Sequence, residues 1–232
     1  VNPAAIADIA FFGMLGGILG GRLLYVVTNW SEYKRNLLEI IRIDHGGLVF
    51  YGGLFGALAL ILAACRWKKV AAMDAAWIFS PALPLGHALG RIGCFLNGCC
   101  FGKPWDGACA VTYPAGSTVL AVQQYKEIVP AEATLPGPVF PIQLVLSGMN
   151  LAIFGILLWM EKRLSLRGAL FPAYITLYAA ARFLVEFGRG DYIRTVGPFT
   201  PAQAVCLGAL PIGLAWFLVL LRKKTRREVN AA

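Results

Sequence analysis

Residues 75–102 read AAWIFSPALPLGHALGRIGCFLNGCCFG. An apolar run leads into an imidazole (His87), a guanidinium (Arg91), an amide (Asn97) and three thiols (Cys94, Cys99, Cys100). Glycines lie between these groups and occlude nothing, because they have no Cβ. Polar groups are costly at membrane depth, so a run of this kind marks a functional site if it crosses a bilayer. The rest of the chain decides that it does. Of its 232 residues, 58% are hydrophobic and 14% charged, and its mean hydropathy is +0.67. A soluble domain carries about 25% charged residues, so this chain cannot cover a water-facing surface. The predicted fold is an all-α integral membrane protein, a bundle of about six transmembrane helices, each near the ~20 apolar residues that a bilayer requires.

The spans are expected at 5–27, 46–65, 75–96, 140–160, 168–188 and 200–221. The loops between them alternate in charge. One side holds Arg66, Lys68, Lys69, Lys162, Arg163, Arg167, Arg222, Lys223, Lys224, Arg226 and Arg227 against Asp74, Glu161 and Glu228, a net of +8. On the other side, Lys34, Arg35, Arg42, Lys103, Lys126, Arg189 and Arg194 balance seven acidic residues, a net of zero. The positive-inside rule places the first set, with the C-terminus, in the cytoplasm. The total charge of +9 is therefore a topology signal and an attraction to anionic membrane lipids, and no nucleic-acid partner is expected. Residues 1–10 carry no basic n-region, so no cleavable signal peptide is expected.

The chain reads as a single membrane domain over 1–232 with an extracytoplasmic head inserted at 98–139. The head is rich in Pro, Gly and Thr and is expected to be irregular, with one short helix or a pair of strands. Residues 29–45 mix charges with Trp30 and Tyr33 and read as an interfacial segment at the headgroups. Gly52 and Gly56 have the spacing that lets two helices approach closely. Beside them, Tyr51 reads either as an aromatic belt residue or as part of a site.

Inside the spans the ionisable groups are Asp8, Arg22, Arg91, Arg182 and Glu186, with His87 near Arg91. Positions four apart share a helix face, which pairs His87 with Arg91 and Arg182 with Glu186, and Arg189 follows a turn later. Guanidinium suits bidentate binding of phosphate, so arginines converging at outer-leaflet depth suggest a phospholipid headgroup; buried Arg–Glu pairs that fix helix register are the plainer alternative. Among the cysteines, Cys65 and Cys206 stand alone in apolar surroundings, whereas Cys94, Cys99, Cys100 and Cys109 cluster. Their spacings differ from the usual zinc-site pairs, so no metal is expected. A disulfide in an oxidising compartment, or a thiol made reactive by Arg91, are the readings left open.

In their order, these elements resemble the prolipoprotein diacylglyceryl transferase family. Gly90-Arg91-Ile92-Gly93-Cys94-Phe95-Leu96-Asn97-Gly98, followed by Gly102, is similar to the family signature Gly-Arg-x-Gly-Asn-Phe-x-Asn-x-Glu-x-x-Gly. Further matches are Gly20-Gly21-Arg22-Leu23-Leu24-Tyr25, the stretch from Gly46 to Gly53, Pro141 with Gln143, and Arg182-Phe183-Leu184-Val185-Glu186-Phe187-Gly188-Arg189. The family fold has one more span at its start than the six read here.

The resemblance implies transfer of the diacylglyceryl group of phosphatidylglycerol to the lipobox cysteine of a preprolipoprotein signal peptide, at the bacterial cytoplasmic (inner) membrane. No cofactor is implied. The leaving group is a phosphate ester, so arginines gripping its oxygens stabilise developing charge, and the incoming thiol calls for a base. Arg91 and Arg182 would hold the phosphate and Glu186 would orient Arg182. Arg22, Tyr25, Asn97, Gly98, Gly102, Gln143 and Arg189 would complete the substrate site. Tyr51 stands where the family has its base histidine, with His87 and then His45 as substitutes; Cys94 and Cys99 replace the signature's Asn and Glu, and Phe140 replaces a His. Two competing readings remain: a family-derived lipid-binding subunit of a larger membrane complex, and a related transferase with another acceptor.

Overall fold

The structure, a computed structural model, describes residues 1–34, 36–42, 46–163, 168–191 and 197–229. It forms two compact units, 1–76 and 77–232. In the first, α1 (Pro3–Thr28) and α3 (Phe50–Trp67) are joined through the short α2 (Trp30–Tyr33) and a 3-10 turn, Leu37–Ile41. Asn2 starts α1 by accepting the Ala4 amide at 3.0 Å, and Pro3 follows where its missing N–H costs nothing. Asp8, near the start of α1, pairs with Lys68, at the end of α3, so the two helices run antiparallel. Their contact is a glycine interlock. A Cβ at Gly16 or Gly20 would strike the carbonyl oxygens of Gly56 or Gly52, and one at Gly52 or Gly56 would strike those of Gly20 or Gly16. The four-residue spacing read at 52 and 56 thus has its partner on α1, and backbone meets backbone along the seam. In the connecting segment, Leu38 and Ile41 lie 72% and 77% exposed, in keeping with an interfacial segment.

The second unit takes in the end of α4 (Ala72–Phe79), then α5 (Ala82–Asn97), α6 (Thr118–Tyr125), α7 (Ile142–Arg163), α8 (Leu170–Glu186) and α9 (Pro201–Val229). Helix α5 packs on α7, α7 on α8, and α8 on α9. Ile153, Leu157 and Met160 of α7 form a buried core with Leu170, Ala173 and Tyr174 of α8 and its approach. The span expected at 75–96 is two helices, α4 and α5, broken at Ser80-Pro81. Proline has no N–H for the helix ladder and its ring crowds the preceding turn, which ends α4.

The all-α membrane architecture holds. Four described helices, at Pro3–Thr28, Phe50–Trp67, Ile142–Arg163 and Pro201–Lys223, are long and apolar enough to cross a bilayer. At 16 and 17 residues, α5 and α8 are shorter than the spans expected around them. Phe11, Leu23 and Ile212 point outward, each more than half exposed, as residues facing lipid should.

Segment 98–139 resolves as one short helix, α6, with no strand among the described residues. A small core of Phe101, Tyr113, Val119 and Val139 holds it. Val111 and Val139 exchange amide hydrogen bonds at 3.0 Å, and Gln123 clasps the backbone of Gly137 from both sides. The segment is laced to the approach to α7 and the exit from α8: the Gly102 amide donates to Phe140, Lys103 to Gly188, and Gly190 to Phe101, each at 3.0 Å.

Candidate functional site

Helix α8 places Tyr174, Tyr178, Arg182 and Glu186 four residues apart, a single stripe along its length. On α5, His87 and Arg91 have the same spacing. The two stripes meet: His87 Nδ1 lies 3.1 Å from the Tyr174 hydroxyl, and the imidazole sits 5.0 Å from the Tyr178 ring centre. In the tautomer that donates Nδ1–H to Tyr174, Nε2 keeps the lone pair of a base. Ser147 of α7 fixes the same turn of α5 by donating to the Ala88 carbonyl at 3.0 Å.

Arg182 and Glu186 are buried and form the expected i, i+4 ion pair, with Nη1 2.7 Å from Oε2. These two atoms meet as charges without the alignment of a hydrogen bond. The other oxygen of Glu186 accepts from the Thr200 hydroxyl at 2.8 Å. Thr200 in turn caps α9: its hydroxyl accepts the Gln203 amide at 3.2 Å, and the Gln203 side chain accepts the Thr200 amide at 3.0 Å. This reciprocal capping box anchors the carboxylate that orients Arg182.

Arg91 is differently placed. Its guanidinium is half-buried, and its hydrogen bond among the described residues goes to Cys94 Sγ, at 3.9 Å. Arg189 is held by Asp191 in a two-point pair at 2.8 and 2.5 Å, so phosphate would have to compete with a carboxylate there.

Helix α5 ends at Gly98, whose φ of 69° is the left-handed cap conformation. The Cys99 amide then folds back to the Cys94 carbonyl at 3.1 Å, and Cys100 takes a φ of 58°. This turn gathers three sulfurs: those of Cys94, Cys99 and Cys100 lie within 4.8 Å of one another. All six cysteines are free thiols, and Cys109 is exposed. Gln143, fully buried at the start of α7, donates to the Cys99 carbonyl at 2.9 Å and the Tyr113 hydroxyl at 3.2 Å. Its own oxygen has no hydrogen-bond partner among the described residues. Outside the spans, burial pushes the Tyr113 phenol upward, with Gln143 opposing the shift and Cys99 adding to it. Asn97 is exposed at the end of α5, and Gly102 is required because the Phe140 carbonyl occupies the place of a Cβ.

The remaining expected site residues belong to the first unit. Arg22, only 7% exposed, donates to five backbone carbonyls, those of Glu39, Ile40, Arg42, Gly46 and Gly47, at 2.6–3.1 Å. Tyr25 and Tyr33 flank its guanidinium at 5.8 and 5.3 Å. A guanidinium has five N–H groups, so these bonds engage Arg22 with the backbone of residues 39–42 and 46–47. Tyr51 is 55% exposed in the first turn of α3, against Phe50. His45 lies outside the described residues.

Sequence reasoning overlooked Tyr174, Tyr178, Thr200 and Asp191. The four-residue spacing of Tyr174, Tyr178, Arg182 and Glu186, and the Thr-Pro-x-Gln start of α9, were the signals available.

The family model described as prolipoprotein diacylglyceryl transferase matches residues 1–219. A phosphatidylglycerol–prolipoprotein diacylglyceryl transferase of Fervidobacterium nodosum is 34% identical over 238 residues, covering 98% of this chain and 75% of its own length. One of Clostridium perfringens is 32% identical, covering 99% of this chain and 84% of itself. Another, of Geobacter sulfurreducens, is 33% identical, with coverages of 94% and 79%.

Proposed function

The chain belongs to the prolipoprotein diacylglyceryl transferase family and is a multi-pass membrane transferase, and from that premise we propose that it moves the diacylglyceryl group of phosphatidylglycerol onto the lipobox cysteine of a preprolipoprotein. The observation that carries this reading is Arg91. It is a half-buried guanidinium in the family signature whose one hydrogen bond among the described residues is a long contact to sulfur. Beside it on α5, one turn away, stands an imidazole with a nitrogen to spare.

In the reaction, the base takes the proton of the acceptor thiol, and the sulfur attacks the glyceryl carbon that bears the phosphate ester. The carbon–oxygen bond breaks, a thioether forms, and glycerol phosphate leaves with the electron pair. Arg91 meets the charge that grows on the leaving oxygen; Arg182, oriented by Glu186 and Thr200, adds a second positive group on α8. His87 serves as the base through Nε2, with Tyr174 and Tyr178 as positioning residues. Gln143 positions the turn at Cys99 and offers the headgroup an oxygen that has no partner among the described residues. The charge asymmetry of the loops supports the cytoplasmic membrane as the site of action, with the C-terminus on the cytoplasmic side.

The test is turnover of labelled phosphatidylglycerol with a lipobox peptide in detergent. Wild type is expected to release glycerol phosphate and yield a diacylglyceryl-thioether peptide. Arg91→Ala should lower the rate about 10²–10³-fold, and His87→Gln by at least about 10²-fold. Absence of turnover, with Arg91-dependent lipid binding retained, would replace the enzyme with a lipid-binding subunit of a larger complex. Glycerol phosphate release without peptide modification would mean a different acceptor.

A further inference from the structure

The three-sulfur cluster is not needed by this chemistry, because the reacting thiol belongs to the substrate. We propose that Cys94, Cys99 and Cys100 form a binding site for a thiophilic metal ion, Zn²⁺ or Cu⁺. The backbone builds the cluster. Cys94 is on the last turn of α5, Gly98 reverses the chain, and the positive φ of Cys100 brings a third sulfur to the first two. Gln143 pins the turn from α7 through the Cys99 carbonyl. A zinc–sulfur bond of about 2.3 Å puts tetrahedral ligand sulfurs roughly 3.8 Å apart. The observed limit of 4.8 Å therefore lies about 1 Å from a closed site, within reach of thiol rotamers.

Charge and softness select the ion. Thiolates favour Zn²⁺ and Cu⁺ over hard cations, which want oxygen. Three thiolates around either ion leave net negative charge, and Arg91, 3.9 Å from Cys94 Sγ, is the adjacent compensating cation. Loading releases the three thiol protons to solvent. Three ligands satisfy Cu⁺ outright, whereas Zn²⁺ would keep a fourth, open position, as in its catalytic sites. A disulfide would join two of these sulfurs and leave the third idle. The convergence of all three on one point favours the ion.

The experiment uses the full chain, purified reduced in detergent without oxygen, and loaded separately with Zn²⁺ and with Cu⁺. Metal per chain is measured after gel filtration, and X-ray absorption counts the sulfurs. One ion per chain on three sulfurs is expected. Each of Cys94→Ser, Cys99→Ser and Cys100→Ser should weaken binding at least about 100-fold, and Cys206→Ser should not. A shell of sulfur alone is expected for Cu⁺, and three sulfurs with one lighter atom for Zn²⁺. Should a serine variant fail to fold, alkylation of wild type decides: the ion must protect residues 94, 99 and 100 and leave Cys109 reactive. The proposal is overturned if the triple serine variant binds as much metal as wild type, if loading protects none of the three thiols, or if the protein isolated without reductant carries a disulfide among them that excludes the ion. None of these readouts depends on transferase activity, so failure here leaves that reading standing.

Discussion

The two units use the same residue types for opposite ends. In the first, glycines at 16, 20, 52 and 56 are filled by the facing backbone, and the arginine of α1 has every donor engaged by carbonyls. In the second, glycines at 86, 90 and 93 on α5 have nothing among the described residues within 4 Å of a would-be Cβ, and the arginine among them touches a sulfur. Glycine and arginine in a membrane helix are therefore not evidence of a site by themselves. What separates the cases is whether protein atoms already occupy the space and the donors.

That contrast can be broken at four points. The largest effect is expected from Arg22→Ala, which removes five part-buried hydrogen bonds to residues 39–42 and 46–47; at about 0.5–1.5 kcal/mol net for each, the loss should reach roughly 3 kcal/mol or more. Thermal unfolding in detergent would register it, and an unchanged melting temperature would refute the fastening role. Arg91→Ala should reverse the pattern, with catalysis down by about 3–4 kcal/mol of barrier while the melting temperature holds. Were Arg91→Ala to unfold the protein as readily as Arg22→Ala, the distinction between the two arginines would fail.

The glycines give a finer test. Gly20→Ala drives a methyl group into the Gly52 carbonyl and should destabilise by about 1–3 kcal/mol. Gly90→Ala meets open space and improves the helix, so it should stabilise by roughly 0.5–1 kcal/mol. Melting temperatures moving the same way for both would show that the α1–α3 interlock is looser than described.

Much of this was legible in the chain. Hydropathy is local and additive, so the long spans at α1, α3, α7 and α9 fall close to where their apolar runs place them. The i, i+4 rule found the Arg182–Glu186 pair, since both partners ride one helix. Pro81 was equally visible, yet the apolar run over 75–96 masks the break it makes between α4 and α5. Thr200 was harder to find, because its contact with Glu186 crosses from the start of one helix to the end of another.

The sequence by itself determined the membrane class, the family, the helices and the residues that share a helix face, because each follows from short-range spacing and composition. Only the tertiary structure decided which polar groups are committed. Arg22 and Arg91 are both arginines near glycines in the family's motifs, and nothing local distinguishes them. The difference arises because carbonyls of residues 39–42 and 46–47, distant from Arg22 in the chain, surround its guanidinium, while the contact of Arg91 among the described residues is with Cys94, three residues along its own helix. A side chain's availability depends on what distant backbone reaches it, and that is fixed by packing.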